Sequence, residues 1–113
     1  MIGRLTDRND FHRLQQQGRR SRDGSLWMAW VTDGALVHPR VGYAVGRTVG
    51  RAVVRNHVKR RLRSIMTELS REGWLPGGLY LVGARAGADQ IPFVDLTSSA
   101  RTLVRSAGGS VPA

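Results

Sequence analysis

Apolar residues at 54, 58, 62, 65 and 69 recur at steps of four, four, three and four. That spacing predicts one helix from about residue 50 to the breaker segment EGWLPGG (72–78), with a single apolar stripe facing inward. LWMAWV (26–31) is apolar at alternate positions of both sets, which predicts a strand covered on both sides. RVGYAVG (40–46) sets Val41, Tyr43 and Val45 on one bulky face and Gly42 and Ala44 on a bare one. A bare strand face admits either a closely packed helix or a ligand chain. LYLVGAR (79–85) reads as a third strand. Thr6 is placed to cap a short first helix, with Asp7 in its first turn, Phe11 and Leu14 turned inward and Gly18 at its end. Pro92 opens a last helix whose inner face carries Phe93, Leu96, Ala100, Leu103 and Val104. RRSRDGS (19–25) reads as a basic loop, DGALVHP (33–39) as a turn and 107–113 as a flexible tail. The resulting order, α β β α β α, predicts one α+β domain spanning 1–113, a sandwich of the split βαβ kind.

Composition adds a partner to this outline. Eighteen Lys and Arg oppose eight Asp and Glu, a formal charge of +10 on 113 residues. Such a field attracts polyanions and repels itself without one. Lys59 is the only lysine; every other cation is arginine. With no cysteine, a disulfide framework and a thiolate metal site are both excluded. No apolar run approaches the roughly 20 residues of a membrane span, and the N-terminus lacks the apolar core of a secretory signal. The expectation is a cytoplasmic protein that needs no membrane.

The cations concentrate on the long helix. Arg51, Arg55, Lys59 and Arg63 recur every four residues beside the apolar stripe, and no acid occurs between Asp33 and Glu68. Like charges at that spacing repel, so the stripe is completed by a polyanion. Guanidinium forks grip phosphate in pairs, and Asn56 adds a neutral donor and acceptor for a base edge or sugar hydroxyl. Duplex RNA has a major groove too narrow for a helix, and no short helix precedes this one across a tight turn as in DNA readers. An irregular folded RNA is the favoured partner.

No catalytic constellation is visible. Glu68 and Glu72 are one helical turn apart and read as a solvated face, not a metal pair. His12, His38 and His57 lack metal-ligand spacing, and GRTVGR (46–51) lacks the phosphate-loop pattern. The catalytic and metal-ligating sets are therefore empty. Rival readings are a ribosomal or assembly RNA-binding protein, a self-sufficient nuclease using His57 or Glu68, and a DNA-binding regulator.

The run RVGYAVGRTVGRAVVRNHVKRRLRSIM (40–66) resembles the signature region of the bacterial ribonuclease P protein component. That family carries R-N-x-x-K-R-x-x-R on a helix after a short strand, and Arg55, Asn56, Lys59, Arg60 and Arg63 complete the pattern in register. The first helix with Asp10 and Phe11, the 79–85 strand and the closing helix extend the likeness over about 3–106. The resemblance implies a single-domain, αβββαβα-like sandwich with a left-handed crossover into the basic helix, against the usual hand. It implies two partners, the catalytic RNA of ribonuclease P and precursor tRNA, and no required protein partner. The RNA subunit would be held by Arg51, Arg55, Asn56, Lys59, Arg60 and Arg63. The 5′ leader would lie in a cleft between the first helix and the sheet, against Phe11, Trp27, Tyr43 and Arg47. Hydrolysis, with Mg2+, would belong to the RNA, and no organic cofactor is implied. Two positions depart from the family: Gln15 and Ala29 stand where aromatics are common, and Trp27 would supply a stacking surface instead.

Overall fold

A computed structural model describes residues 2–108. Five strands form one mixed sheet: β1 (Gly3–Arg4), β2 (Arg19–Asp23), β3 (Leu26–Thr32), β4 (Arg40–Val45) and β5 (Gly78–Ala84). Three helices join them: α1 (Arg8–Gln17), α2 (Ala52–Arg71) and α3 (Phe93–Ser106), with a short 3-10 turn at Ala88–Gln90. The spatial order is β1-β4-β5-β3-β2. β4 and β5 run parallel through the α2 crossover, whereas β3 is antiparallel to both β5 and β2.

Strand alternation sends side chains to two layers. Leu26, Met28 and Trp30 of β3, Val41 and Val45 of β4, and Tyr80, Val82 and Ala84 of β5 meet the apolar stripes of α2 and α3 in the main core. On the opposite face Val31 and Leu79 pack with Leu5 and Leu14, the residues that seat α1. This second layer is thinner: Ala29 and Leu81 are only half-buried beneath α1.

Several expectations change. RRSRDGS is not a loop: residues 19–23 form β2, paired with β3 from Arg19 opposite Trp30 to Asp23 opposite Leu26. A strand with no apolar residue forms here because β3 supplies the hydrogen-bonding template. β1, two residues paired in parallel with β4, is likewise absent from the hydrophobic pattern. Asp7, not Thr6, caps α1, its carboxylate accepting the Asn9 N–H at 2.9 Å. β3 is covered fully on one side only, since Trp27 and Ala29 stay half-exposed. Phe93 does not turn inward; it is 46% exposed at the start of α3, near the Arg61 guanidinium. Of the expected tail, Ala107 and Gly108 end α3, and 109–113 lie outside the described residues.

Candidate nucleic-acid interface

The cationic surface is built by helical periodicity. At about 3.6 residues per turn, Arg55, Lys59 and Arg63 form one row, and Asn56 and Arg60 lie beside it. The buried row Val58, Leu62, Ile65, Met66 and Leu69 holds the helix on the sheet. Asn56, Arg60 and Arg63 are exposed, and Arg55 and Lys59 half-buried. The five motif residues therefore share one outward flank. Arg55 is the tightest of them: its Nε is buried and has no hydrogen-bond partner. An unsatisfied buried donor costs about 1–3 kcal/mol.

Arg51 stands at the helix N-cap and contributes no capping hydrogen bond. Ser, Thr, Asp or Asn at that position is worth about 1 kcal/mol, and a cation there opposes the helix dipole. Local stability is given up at the position where the charge stripe starts.

The cation row continues toward the sheet edge. Arg63 lies 5.6 Å from the Tyr43 ring centroid, and Lys59, Arg63, Tyr43, Thr67 and Arg4 line one groove between α2 and β1. Burial pushes the Tyr43 phenol up to about 12, against the pull of Arg63. Tyr43 does not line the groove that holds Phe11, but it shares with Trp27 the opening at the end of β4 and β5. β4 alternation turns it with Val41 toward α2, whereas Trp27 points to the α1 side. Tyr43 thus stands between the two surfaces: its ring faces the cationic helix, and its edge borders the opening beside Trp27.

The α1 side carries an open trough. Phe11, 41% exposed, lines its upper part with Leu14, Gln15, Arg20, Ala29 and Leu81. Leu5 fills the space above Gly42, where an added Cβ would lie 3.0 Å from the Leu5 Cβ. The bare face of β4 is thus half occupied by chain and half open at Ala44. The trough continues past Trp27, Ala44, Gly46 and Arg85. Arg47 is exposed on the turn between β4 and α2, beside this opening. The sequence reading missed Arg4, Arg20, Arg22 and Arg85 around these surfaces; Arg20 and Arg22 lie in the segment read as a loop.

Glu68 and Glu72 both have partners. Arg71 holds the Glu68 carboxyl below the usual carboxylate range by a direct hydrogen bond. Glu72 accepts the Trp74 indole N–H at 3.2 Å. Among the described residues no three His, Asp or Glu side chains gather as a metal site.

Fold and charge define a class: small, strongly basic α+β domains whose arginine-faced helix borders an open trough. The family model for ribonuclease P matches residues 3–108, and the chain belongs to the ribonuclease P protein family. The ribonuclease P protein component of Symbiobacterium thermophilum is 36% identical over 108 residues, covering 93% of this chain and 90% of its own. That of Beutenbergia cavernae is 40% identical over 81 residues, 72% of this chain and 67% of the relative. The structure of the Staphylococcus aureus RNase P protein superposes with a TM-score of 0.78 at 22% identity, covering 92% of this chain and 94% of that one. The Thermotoga maritima protein gives 0.78 at 24% identity, covering 91% and 96%. At those identities the structures speak for the fold. The family ties the chain to ribonuclease P and to tRNA processing.

Proposed function

We propose that this chain is the protein subunit of a cytoplasmic ribonuclease P. It binds the catalytic RNA through the α2 flank and the 5′ leader of precursor tRNA along the α1 trough. Hydrolysis is carried by the RNA with Mg2+, and the protein residues bind and position. The observation that carries the reading is the register of Arg55, Asn56, Lys59, Arg60 and Arg63 on one outward flank of α2, with no acid among them. The four cations among them neutralise phosphate repulsion where the RNA folds back on itself, so less Mg2+ is needed for the same compact state. Phe11 and Trp27 offer ring faces to unpaired bases, a contact tolerant of sequence. Arg47 stands near the opening as a phosphate contact.

Precursor-tRNA cleavage at low Mg2+ tests the reading with protein alone, ribonuclease P RNA alone, both, and neither. Cleavage to a mature 5′ end only in the combined reaction is the expected result. Cleavage by protein alone would place the chemistry in the chain. A folded protein that fails to stimulate the RNA would favour a ribosomal-RNA role instead.

A further inference from the structure

We propose that the outer face shared by α2 and α3 docks an acidic amphipathic helix of a protein partner. The apolar side of that helix covers Val53, Phe93 and Val94, and its carboxylates meet Arg61, Arg101 and Arg105.

The face follows from helical periodicity. Val53, His57 and Arg61 recur every four residues along α2. At about 100° per residue Val53 lies roughly 200° from Arg55, so this row runs on the far side of α2 from Arg55, Lys59 and Arg63. On α3, Val94, Ser98, Arg101 and Arg105 recur at steps of four, three and four. All four are exposed, turned away from the buried Leu96, Ala100, Leu103 and Val104. The Arg61 guanidinium lies 5.9 Å from the Phe93 ring centroid, and Arg101 and Arg105 lie over Trp74, just beyond the end of α2. The two rows therefore run side by side in the same direction, apolar toward their N-terminal ends and cationic beyond.

Exposure and charge argue for an occupant. Val53 is 80% and Val94 67% exposed, and with Phe93 they are three of the five large apolar side chains that stand exposed among the described residues. The other two lie elsewhere, Phe11 at the trough and Val37 in the 33–39 loop. Exposed apolar groups gathered on one face and rimmed by charge mark an interaction surface. Among the described residues Arg61, Arg101 and Arg105 make no ion pair. Stacking on a ring leaves their charge for a partner to neutralise. Aliphatic Val53 and Val94 give a nucleobase no ring to stack on, which favours a protein over another stretch of RNA. A second copy would bring the same arginines against these, whereas an acidic partner complements them. Two helices side by side leave a seam that a third helix fills with apolar anchors every third or fourth residue. Because the row assigned to RNA lies on the far side of α2, both partners can be held at once.

The test uses the full chain and a fluorescein-labelled synthetic peptide of about five helical turns, with leucine at every third and fourth position and glutamate between. Fluorescence anisotropy should show saturable binding, and the same residues in scrambled order should bind at least about tenfold more weakly. Val94→Glu and Arg101→Glu should each lower the affinity about tenfold with an unaltered circular-dichroism spectrum. Lys59→Ala, on the opposite row, should leave it nearly unchanged. Loading with ribonuclease P RNA should not displace the peptide, and Val94→Glu should support precursor-tRNA cleavage like wild type. Absence of saturable binding, equal binding of ordered and scrambled peptides, or variants that bind as well as wild type would overturn the site. Displacement by the RNA would overturn it too, placing the peptide on the other flank. A wild-type chain that sediments as a dimer dispersed by Val94→Glu would put a second copy in place of the partner helix. The peptide titrations use the protein alone, so their failure is distinct from failure of the subunit reading.

Discussion

Arg13 and Asp33, twenty positions apart, meet at 2.8 Å where α1 passes the end of β3. A second pair, Arg40 with Asp10 at 3.0 Å, ties the same helix to β4. Between them the two pairs fasten the helix that walls the trough, whose apolar contact with the sheet is thin.

This fastening sets a pH dependence. The hydrogen bond from Arg13, with a further one from the Ala35 N–H, holds the Asp33 carboxyl below its ordinary 3.8. A folded-state pKa below the unfolded one stabilises fully above the unfolded value and fades as pH falls through the folded one. Wild type should therefore melt above Asp33→Asn at pH 7, and the gap should close as the pH is taken below about 4. Melting curves offset by the same amount at every pH would argue against the pair.

Arg60→Ala should weaken binding to the RNA subunit about tenfold, at nearly unchanged melting temperature, since its side chain is exposed. Arg55→Ala should weaken it by a similar factor, because it removes one cation from the same flank. With five cations on phosphate, the log–log salt slope should be about −4, and each alanine should lower its magnitude by about one. A wild-type slope near −1 would sink the extended footprint.

Arg51→Ser separates stability from binding. The serine hydroxyl can cap α2, so unfolding should cost about 0.5–1 kcal/mol more, while RNA affinity falls. Denaturant titration and a binding isotherm on the same preparation read both signs.

Trp74 provides the structural control. It is 4% exposed, lies beneath the guanidinium groups of Arg105 and Arg101 at 5.4 and 5.7 Å, and donates to Glu72. Trp74→Ala should cost about 3–5 kcal/mol in unfolding free energy. Assayed below its lowered melting point, it should retain the RNA affinity per folded molecule.

The elements that carry their own apolar periodicity were legible from sequence. The α2 stripe at 54, 58, 62, 65 and 69 placed the helix, and the strands near 26–31, 40–46 and 79–85 stand within one residue of their observed ends. β1 and β2 were not legible, because their stability comes from neighbours: β2 contributes only Arg, Ser and Asp to the sheet. With β2 unseen, Arg20 and Arg22 had no register to place them beside Trp27. The face on which Tyr43 lies was not legible for a related reason. Alternation put it on the bulky face of β4, but the side of the sheet that α1 would take follows from Leu5 and Leu14 packing on Val31 and Leu79. The signal available was Gly83, since a glycine within an apolar strand marks a close approach.

β2 is also the last strand of the sheet, and among the described residues its outer edge has no strand partner. An unpaired strand edge is a template for another molecule's strand, the first step toward fibrous aggregates. Arg19, Arg20 and Arg22 place like charges along this one, so two copies that approach edge to edge repel at low ionic strength. The composition that suits the chain to a polyanion thereby also keeps its own sheet from growing.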